Sequence, residues 1–169
     1  MGGSLARKKI IVIGCPGAGK STFARRLHEK TQIPLFYLDM IWHRADKTTV
    51  SRERFDFELN EILKQERWII DGNYMRTILI RLQQCDTVFL LDYPLDVCIA
   101  GVESRIGKPR VDMPWTETEF DPKFRQWILD FPQKQLPKIY SWLQAYPDKE
   151  IHIFKSREEA DDFLKYGLL

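Results

Sequence analysis

The sequence predicts an α/β fold with three layers (α/β/α), in which helices cover both faces of a five-stranded parallel sheet. Two observations support this prediction: five short, mostly apolar runs, and amphipathic helical patterns that lie between them. Continuous apolar runs are typical of strands that are buried on both faces, and strands that alternate with helices form parallel sheets. The predicted strands are Lys9–Ile13, Leu35–Leu38, Trp68–Asp71, Thr87–Asp92 and Ile151–Phe154.

Local signals place the ends of the helices between these strands. Ser51 is a candidate N-cap for the helix before the third strand, because its hydroxyl can accept a hydrogen bond from a free backbone N–H group. Pro132 is expected to stop one helix and Pro137 to begin the next, since proline has no N–H donor. Ser156 and Glu159 have the spacing of a capping box, which predicts the start of the last helix.

Length and composition indicate one folded domain. The chain has 169 residues, of which 44% are hydrophobic, so a core of ordinary size is available and a disordered chain is excluded. We expect a flexible tail at residues 1–7 and a single domain over residues 8–169. Within that domain, the segment at about 106–119 contains glycine, prolines and cations without a helical or strand period, which predicts a long lid-like loop.

Charge and cysteine content limit the classes of partner and compartment. The net charge is +2 and no basic run occurs, so the sequence does not favour a nucleic-acid partner, without excluding one. Three cysteines without metal-binding spacing indicate free thiols in a reducing compartment. The sequence contains no signal peptide and no apolar run of membrane-spanning length. We therefore expect a soluble, cytoplasmic protein with no membrane partner.

The most specific motif is the run G-x-x-x-x-G-K-S at residues 14–21, which follows the first predicted strand and opens a helix. Glycines let the backbone curl around a polyphosphate and point N–H groups at it, and the positive end of the helix faces the same place. This context identifies a P-loop and predicts binding of a nucleoside triphosphate. The predicted nucleotide-binding residues are Gly14, Cys15, Pro16, Gly17, Ala18, Gly19, Lys20, Ser21 and Thr22.

Two side chains of the motif have predicted chemical roles. Lys20 supplies a mobile charge to the β- and γ-phosphates, and the Ser21 hydroxyl is a candidate Mg²⁺ ligand. A carboxylate at the end of a strand is expected to support the metal through one of its bound waters. Asp71 and Asp92 both meet that condition, and Asp92 has an alternative role as a turn or helix cap before Pro94.

Further motifs resemble those of known families. The third predicted strand ends in Asp71-Gly72 and an arginine follows at Arg76, which resembles the adenylate-kinase-like group of small P-loop kinases. The chain is also similar to the bacterial topology modulation protein family. That similarity rests on Leu38-Asp39, Trp68–Tyr74, Leu91-Asp92-Tyr93-Pro94, Arg110-x-Asp112-Met113, Phe131-Pro132 and Lys155-Ser156-Arg157. Both resemblances imply an adenylate-kinase-like P-loop NTPase fold that uses ATP and Mg²⁺.

The resemblance to adenylate kinases implies roles for several charged side chains. It favours Asp71 over Asp92 as the residue linked to Mg²⁺. It also implies that Arg76 binds the acceptor, and that Arg105 and Arg110 lie just before and within the lid. Two arginines near a transferred phosphoryl group would stabilise its charge.

Asp39 follows the second predicted strand and is the candidate catalytic carboxylate. In similar small-molecule kinases, an acidic residue at this place contacts the acceptor hydroxyl, which it can orient and deprotonate. The alternative is that Asp39 caps a short helix at 40–43. Trp42 and His43 follow closely, and Trp42 is predicted to bind the acceptor.

Two features depart from adenylate kinases. Those enzymes carry an arginine four residues before the position of Arg105, where this chain has Gly101. One cationic contact to the nucleotide is therefore missing, which puts the efficiency of transfer in question. The segment between Leu38 and Ser51 is also short for an adenylate kinase proper.

Three functions are compatible with these residues. We predict a Mg²⁺-dependent kinase that moves the γ-phosphoryl group of ATP to a nucleoside, a nucleotide or a similar small metabolite. The alternatives are a nucleotide-dependent regulator of DNA topology, which the second resemblance implies, and an ATP-binding switch without efficient transfer, which Gly101 favours. The predicted site comprises catalytic Lys20, Asp39, Arg105 and Arg110, acceptor-binding Asp39, Trp42 and Arg76, and metal-binding Ser21 and Asp71.

Overall fold

The computed structural model describes residues 6–168, so residues 1–5 of the predicted tail lie outside the described residues. The strands are β1 (Lys9–Gly14), β2 (Leu35–Tyr37), β3 (Trp68–Asp71), β4 (Thr87–Leu91) and β5 (Glu150–Phe154). They form one parallel sheet in the order β2-β3-β1-β4-β5. The predicted number of strands and their parallel arrangement are confirmed.

Helices follow the strands in an alternating order, as predicted. They are α1 (Lys20–Thr31), α2 (Leu38–Trp42), α3 (Arg52–Leu63), α4 (Met75–Gln84), α5 (Leu95–Arg105), α6 (Pro122–Lys134), α7 (Leu136–Gln144) and α8 (Arg157–Asp162), followed by a π-helical turn, Phe163–Gly167. The chain moves outward from β1 to β2 through α1, then crosses the sheet in the opposite direction through β3 and β4. Because such crossovers are right-handed, α1 and α4 lie on opposite faces of the sheet.

The centre of the sheet forms the hydrophobic core. Residues 10–13 of β1 have no exposed surface, and every residue of the flanking strands β3 and β4 is buried. Phe23 of α1 packs on this core, with its ring centroid 5.1 Å from that of Phe89. A buried parallel sheet brings the carboxyl ends of its central strands to one edge, where the loops that follow can form a site.

The structure confirms the two predicted serine N-caps, and the predicted helix end at Pro132 is wrong. The hydroxyls of Ser51 and Ser156 each accept a hydrogen bond from the N–H group three residues later, at 3.1 and 3.2 Å. Pro132 does not stop its helix, since α6 continues to the second residue beyond it. Proline removes a single intrahelical donor, and so close to the end of a helix this loss is tolerated. Asp39 is not an N-cap, because α2 begins one residue before it.

A segment without helix or strand joins α5 to α6 over residues 106–121. The N–H group of Gly107 donates to the carbonyl oxygen of Glu117 at 2.6 Å, which ties the start of the segment to its middle. The predicted lid-like loop at 106–119 falls within this segment. Its movement stays a prediction.

The described residues also bear on the predicted compartment. None of the helices within residues 6–168 is both long and apolar enough to cross a membrane. Cys15, Cys85 and Cys98 are free and buried. A cytoplasmic location stays a prediction.

Candidate active site

The phosphate loop joins β1 to α1 and leaves an open cradle. At Gly19, φ is 93°, a left-handed conformation that favours glycine. A Cβ added to Gly19 would meet no atom within 4 Å, so this part of the loop faces open space. The cradle lies directly before the N-terminus of α1, whose positive end and free N–H groups suit an anion. This geometry fits a polyphosphate.

The other side of the phosphate loop packs against α5. A Cβ added to Gly17 would lie only 2.0 Å from the carbonyl oxygen of Cys98 in that helix. Gly101, about one turn later in α5, packs in the same way against the backbone of Gly17. Glycine at these positions lets two backbones approach more closely than any side chain permits.

A cavity of about 380 Å³ opens in front of the phosphate loop. All six residues predicted to be catalytic or to bind metal line it: Lys20, Ser21, Asp39, Asp71, Arg105 and Arg110. A second cavity, of about 340 Å³, adjoins it on the side of α5. The two cavities share Gly17, Gly19, Ser21, Arg105, Arg110 and Asp112. The phosphate loop therefore lies where the two cavities meet.

Lys20 is the first residue of α1 and its side chain turns back over the phosphate loop. Its ammonium group donates to the carbonyl oxygen of Cys15 at 3.4 Å. Burial lowers the pKa of Lys20, and the nearby carboxylate of Asp71 opposes that change. A weakly bonded cation in a partly desolvated place is available to an incoming phosphate.

Asp71 ends β3 and points into the same cavity. It is 7% exposed, and its Oδ1 atom has no hydrogen-bond partner within the described part of the chain. Burial raises the pKa of Asp71 to about 7, although the charge of Lys20 acts in the opposite direction. A buried carboxylate oxygen without a donor fits a cation or one of its bound waters.

Asp92, the alternative metal-linked residue, has different surroundings. Its Oδ2 atom accepts hydrogen bonds from the Tyr140 hydroxyl and from the Lys155 ammonium, each at 2.6 Å. It does not line the cavity that holds Lys20 and Asp71. Of the two candidates, only Asp71 lines the cavity that contains Lys20.

Asp39 lies in the first turn of α2, immediately after β2. The Tyr74 hydroxyl donates to Asp39 Oδ1 at 2.6 Å, which fixes the carboxylate at the cavity wall. Tyr74 itself has φ of 39°, a left-handed conformation that is uncommon for a bulky residue. Such strain persists only where neighbouring contacts hold it in place.

Those neighbouring contacts come from Arg81, which has no exposed surface. Its guanidinium donates to the carbonyl oxygen of Gly72 at 2.9 Å, to that of Tyr74 at 3.3 Å and to that of Asn73. Asn73 in turn bonds Gly14 in both directions, accepting from its N–H group at 3.0 Å and donating to its carbonyl oxygen at 2.7 Å. Residues 72–74 are thereby held against the start of the phosphate loop.

Arg105 and Arg110 reach the cavity from the end of α5 and from the irregular segment. Arg110 Nε donates to Asp112 Oδ1 at 3.1 Å, and its Nη1 donates to Glu117 Oε1 at 2.8 Å. Arg105 Nη2 lies 3.5 Å from the same Glu117 oxygen. The Nε atom of Arg105 is buried and has no hydrogen-bond partner among residues 6–168. Both guanidinium groups stand beside the phosphate cradle.

Two residues predicted to bind the acceptor lie outside this cavity. Arg76 forms two hydrogen bonds with the Asp56 carboxylate, at 2.7 and 3.1 Å, on the exposed side of α4. Trp42 packs edge-on against Phe55 behind Tyr74, with a centroid distance of 5.8 Å to Phe55. Neither side chain lines the cavity that contains Lys20.

Sequence reasoning also missed residues that build the site. They are Asn73, Tyr74, Arg81, Asp112 and Glu117. Asn73, Tyr74 and Asp112 belong to motifs that carry the family resemblance, so a signal was present without an assigned role. For Arg81 the signal is a cation on the apolar face of α4, next to Leu82.

Comparisons with known proteins give a partial sequence match and several structures of similar fold. No protein-family model matches the sequence. An adenylate kinase from Thermotoga neapolitana is 31% identical over 94 residues. That match covers 54% of this chain and 42% of the adenylate kinase, so less than half of the relative's length is represented.

Solved structures of small-molecule kinases share the fold. The shikimate kinase of Acinetobacter baumannii, determined in complex with shikimate, has a TM-score of 0.64 at 17% identity and covers 96% of this chain and 94% of its own. The shikimate kinase of Bacteroides thetaiotaomicron has a TM-score of 0.58 at 18% identity, with 95% of both chains covered. A sugar kinase from Janibacter sp. HTCC2649 has a TM-score of 0.55 at 13% identity, covering 96% and 92%.

This chain therefore shares the α/β fold of these P-loop proteins, as the sequence predicted. The TM-scores establish that the fold is shared. Because the sequence identities are low, the reaction has to be argued from the residues of the site. The narrower resemblance to the topology modulation protein family stays a prediction.

Proposed function

We propose that the protein is an ATP- and Mg²⁺-dependent kinase that transfers the γ-phosphoryl group of ATP to a hydroxyl group of a small molecule. The observation that supports this most directly is the single cavity lined by Lys20, Asp39, Asp71 and two arginines. Phosphoryl transfer requires positioned phosphates, cations around the transferred group and a residue that orients the nucleophile. Each of these requirements has a candidate in this cavity.

The phosphate loop and Lys20 bind the β- and γ-phosphates in this proposal. The rest of the nucleotide lies in the adjoining cavity of about 340 Å³, which continues past Thr22, Arg25 and Arg157. Gly19 is shared by both cavities, so one chain of phosphates can pass from the second into the first.

Ser21 and Asp71 fit a magnesium site. Both line the cavity, and Asp71 offers a buried carboxylate oxygen without a partner among the described residues. Mg²⁺ in nucleotide-dependent enzymes takes one or two protein oxygens and completes its shell with water and phosphate oxygens. Bound there, it would supply charge neutralisation on the phosphates. Ser21 and Asp71 would hold it in position.

Asp39 orients the acceptor. Tyr74 occupies one oxygen of the Asp39 carboxylate, at 2.6 Å, and we assign the other oxygen to the acceptor hydroxyl. As the phosphoryl group is transferred, that oxygen accepts the hydroxyl proton. Arg105 and Arg110 direct their N–H groups at the equatorial oxygens of the transferred group, where charge is spread in the transition state.

The alternatives that the sequence left open have less support. Gly101 favoured an ATP-binding switch because a cation is missing there, but its close contact with Gly17 gives it a packing role. A role in DNA topology has no specific observation in its favour and stays a prediction.

A lysine pair on α1 tests the proposal. Lys20→Ala removes the phosphate contact, whereas Lys30→Ala changes an exposed lysine at the other end of the same helix. ADP release is measured in a coupled assay with Mg²⁺ and ATP, across nucleosides, nucleoside monophosphates, sugars and hydroxy acids. We expect Lys20→Ala to lower turnover about 100-fold or more, with an unchanged circular dichroism spectrum. Equal turnover in the two variants would contradict the proposal.

A further inference from the structure

The two cavities divide the site into a nucleotide side and an acceptor side. The cavity of about 340 Å³ runs from the phosphate loop past Thr22 and Arg25 on the side of α1 and α5. The cavity of about 380 Å³ runs the other way, to Asp39, Tyr74 and Trp127. With the nucleotide in the former, the far end of the latter is the space left for the acceptor.

Within the described residues, every cation that lines the acceptor cavity also belongs to the phosphate site. The basic residues that line it are Lys20, Arg105 and Arg110. Both arginines also line the nucleotide cavity, and Lys20 is the phosphate-loop lysine. A triphosphate brings several negative charges to this place, so it engages all three cations.

Carboxylates are the more numerous charges on the same walls. Asp39, Asp71 and Asp112 line the cavity, and Glu117 contacts both arginines behind it. Arg110 is already paired with two of these acids, through bonds of 3.1 and 2.8 Å. Four carboxyl groups therefore accompany three cations before any ligand arrives, and Asp39, Asp112 and Glu117 are three of the four.

Among the described lining residues, the acceptor end has no cation besides the three that line the phosphate end; of these, Arg105 reaches it, with its guanidinium carbon 5.8 Å from the centre of the Phe124 ring. Its walls there are Tyr74, Met75, Phe124 and Trp127, which are aromatic or apolar. The nearest arginine in sequence, Arg76, lines a separate cavity of about 280 Å³ that shares Tyr74 and Met75 with this one. Its guanidinium is held there by two hydrogen bonds with Asp56. An anionic group at this end would face Asp39, and the cations within reach would be those that already bind the triphosphate.

We infer that the acceptor is a hydroxyl compound without a phosphate or carboxylate group, either neutral or positively charged, with an apolar or flat face. This inference rests on the proposed kinase function and restricts the class of acceptor. Like charges in a partly desolvated cavity repel strongly, and specificity commonly comes from such repulsion. A flat or cationic group is instead favoured by the aromatic walls and by Asp39. Shikimate, which is bound in one of the similar structures, is a carboxylate and is excluded as an acceptor by this inference.

Matched pairs of acceptors test the inference. Each pair differs in one anionic group: adenosine and AMP, glucose and glucuronate, methyl shikimate and shikimate. ADP release by the wild-type protein is measured with Mg²⁺, ATP and each compound in turn. We expect that any pair able to stimulate release does so through its uncharged member, with kcat/KM at least about 10-fold above that of the anion.

A charge introduced at the acceptor end gives a second readout. Met75→Lys places a cation on the acceptor wall, and Leu79→Lys places one on the next turn of α4, where the side chain is exposed and lies outside the cavity. We expect Met75→Lys to shift the ratio of kcat/KM for anion over uncharged partner upward about 10-fold, and Leu79→Lys to leave that ratio unchanged. Thermal melting confirms that both variants are folded.

Each outcome has a defined meaning. Stimulation by the anionic members, or by no member of any pair, overturns the inference. An unchanged ratio in Met75→Lys also overturns it. The proposed kinase function fails separately if ADP release by the wild type equals that of Lys20→Ala under every condition.

Discussion

Gly101 of α5 lies directly against Gly17 of the phosphate loop: a Cβ added to Gly101 would come within 2.0 Å of the Gly17 carbonyl oxygen. The contact is reciprocal, because a Cβ on Gly17 would meet the backbone of the same helix at Cys98. Adenylate kinases place an arginine at the position of Gly101, according to the resemblance noted in the sequence. In this chain an arginine there has no room for even its first carbon atom.

Restoring that arginine should therefore damage the site. Gly101→Arg forces α5 and the phosphate loop apart, so we expect the free energy of unfolding to fall by about 1–3 kcal/mol and nucleotide affinity to fall at least about 10-fold. Ala100→Arg, on the exposed neighbouring position, is the matched control and should change neither. Urea denaturation and titration with a fluorescent ATP analogue measure the two effects. Tighter nucleotide binding by Gly101→Arg would refute the packing explanation.

Asp71 should make stability depend on pH. Its pKa is about 7 in the folded protein against 3.8 for an ordinary aspartate, so the folded state binds this proton more tightly than the unfolded state does. The stability contribution is full below about pH 4 and is lost as pH rises through 7, by about 4 kcal/mol in total. The groups that face this carboxyl are Lys20, Asp39, Arg110 and Asp112.

Replacing the carboxyl removes this loss. We expect Asp71→Asn to be more stable than the wild type at pH 8 and to lie close to it at pH 4, while Asp148→Asn, at an exposed position, follows the wild type throughout. Denaturation midpoints at several pH values supply the measurement. If the denaturation midpoints of Asp71→Asn and the wild type depend on pH in the same way, the raised pKa assigned to Asp71 is wrong.

Arg81 should matter for stability and for activity. Arg81→Met removes the Arg81 donor from the carbonyl oxygens of Gly72 and Asn73 in a buried place, which predicts a loss of about 3 kcal/mol in the free energy of unfolding and a lower kcat through displacement of Tyr74. Arg67 also donates to a carbonyl oxygen, at 3.2 Å, but is exposed. Arg67→Met should therefore change stability by about 0.5 kcal/mol or less. Similar melting temperatures for the two variants would count against the role given to Arg81.

The structure and the family resemblance give different roles to Arg76, and a substitution distinguishes them. Because Arg76 pairs with Asp56 outside the cavity, Arg76→Ala should alter kcat/KM less than about 2-fold, as expected for an exposed ion pair. Arg105→Ala should lower kcat about 100-fold or more, since its half-buried guanidinium faces the phosphate cradle. Steady-state ADP release with the best acceptor compares them. A loss in Arg76→Ala as large as that in Arg105→Ala would mean that Arg76 reaches the acceptor.

The sheet was predictable because its signals are local. Each strand is a buried apolar run, and the observed bounds differ from the predicted ones by one residue at most. The phosphate loop was predictable for the same reason. Asp39 and Asp71 followed from the rule that parallel strands end at one edge, and both line the cavity.

The remaining features depend on which way a side chain turns in three dimensions. Arg76 follows the Asp71-Gly72 pair closely in sequence, yet α4 begins at Met75 and directs Arg76 outward. Arg81 carries a charge, so sequence reasoning would place it in water, whereas three carbonyl groups of a strained loop hold it in the core. In the sequence, Gly101 was interpreted as the loss of a cationic side chain. Only its closeness to Gly17 in the structure shows that glycine is needed there for helix α5 to pack against the phosphate loop.

The connection between residues 72–74 and the phosphate loop depends on one side-chain amide, because Asn73 forms two hydrogen bonds with Gly14. A side-chain amide presents the same donor and acceptor as a peptide group, so Asn73 adds a further rung between β3 and β1 after the chain has turned away. Hydrolysis of that amide, as occurs in ageing proteins, would replace its donor with a second oxygen facing the Gly14 carbonyl. A single spontaneous deamidation would thereby separate the acceptor wall from the phosphate loop without breaking the chain.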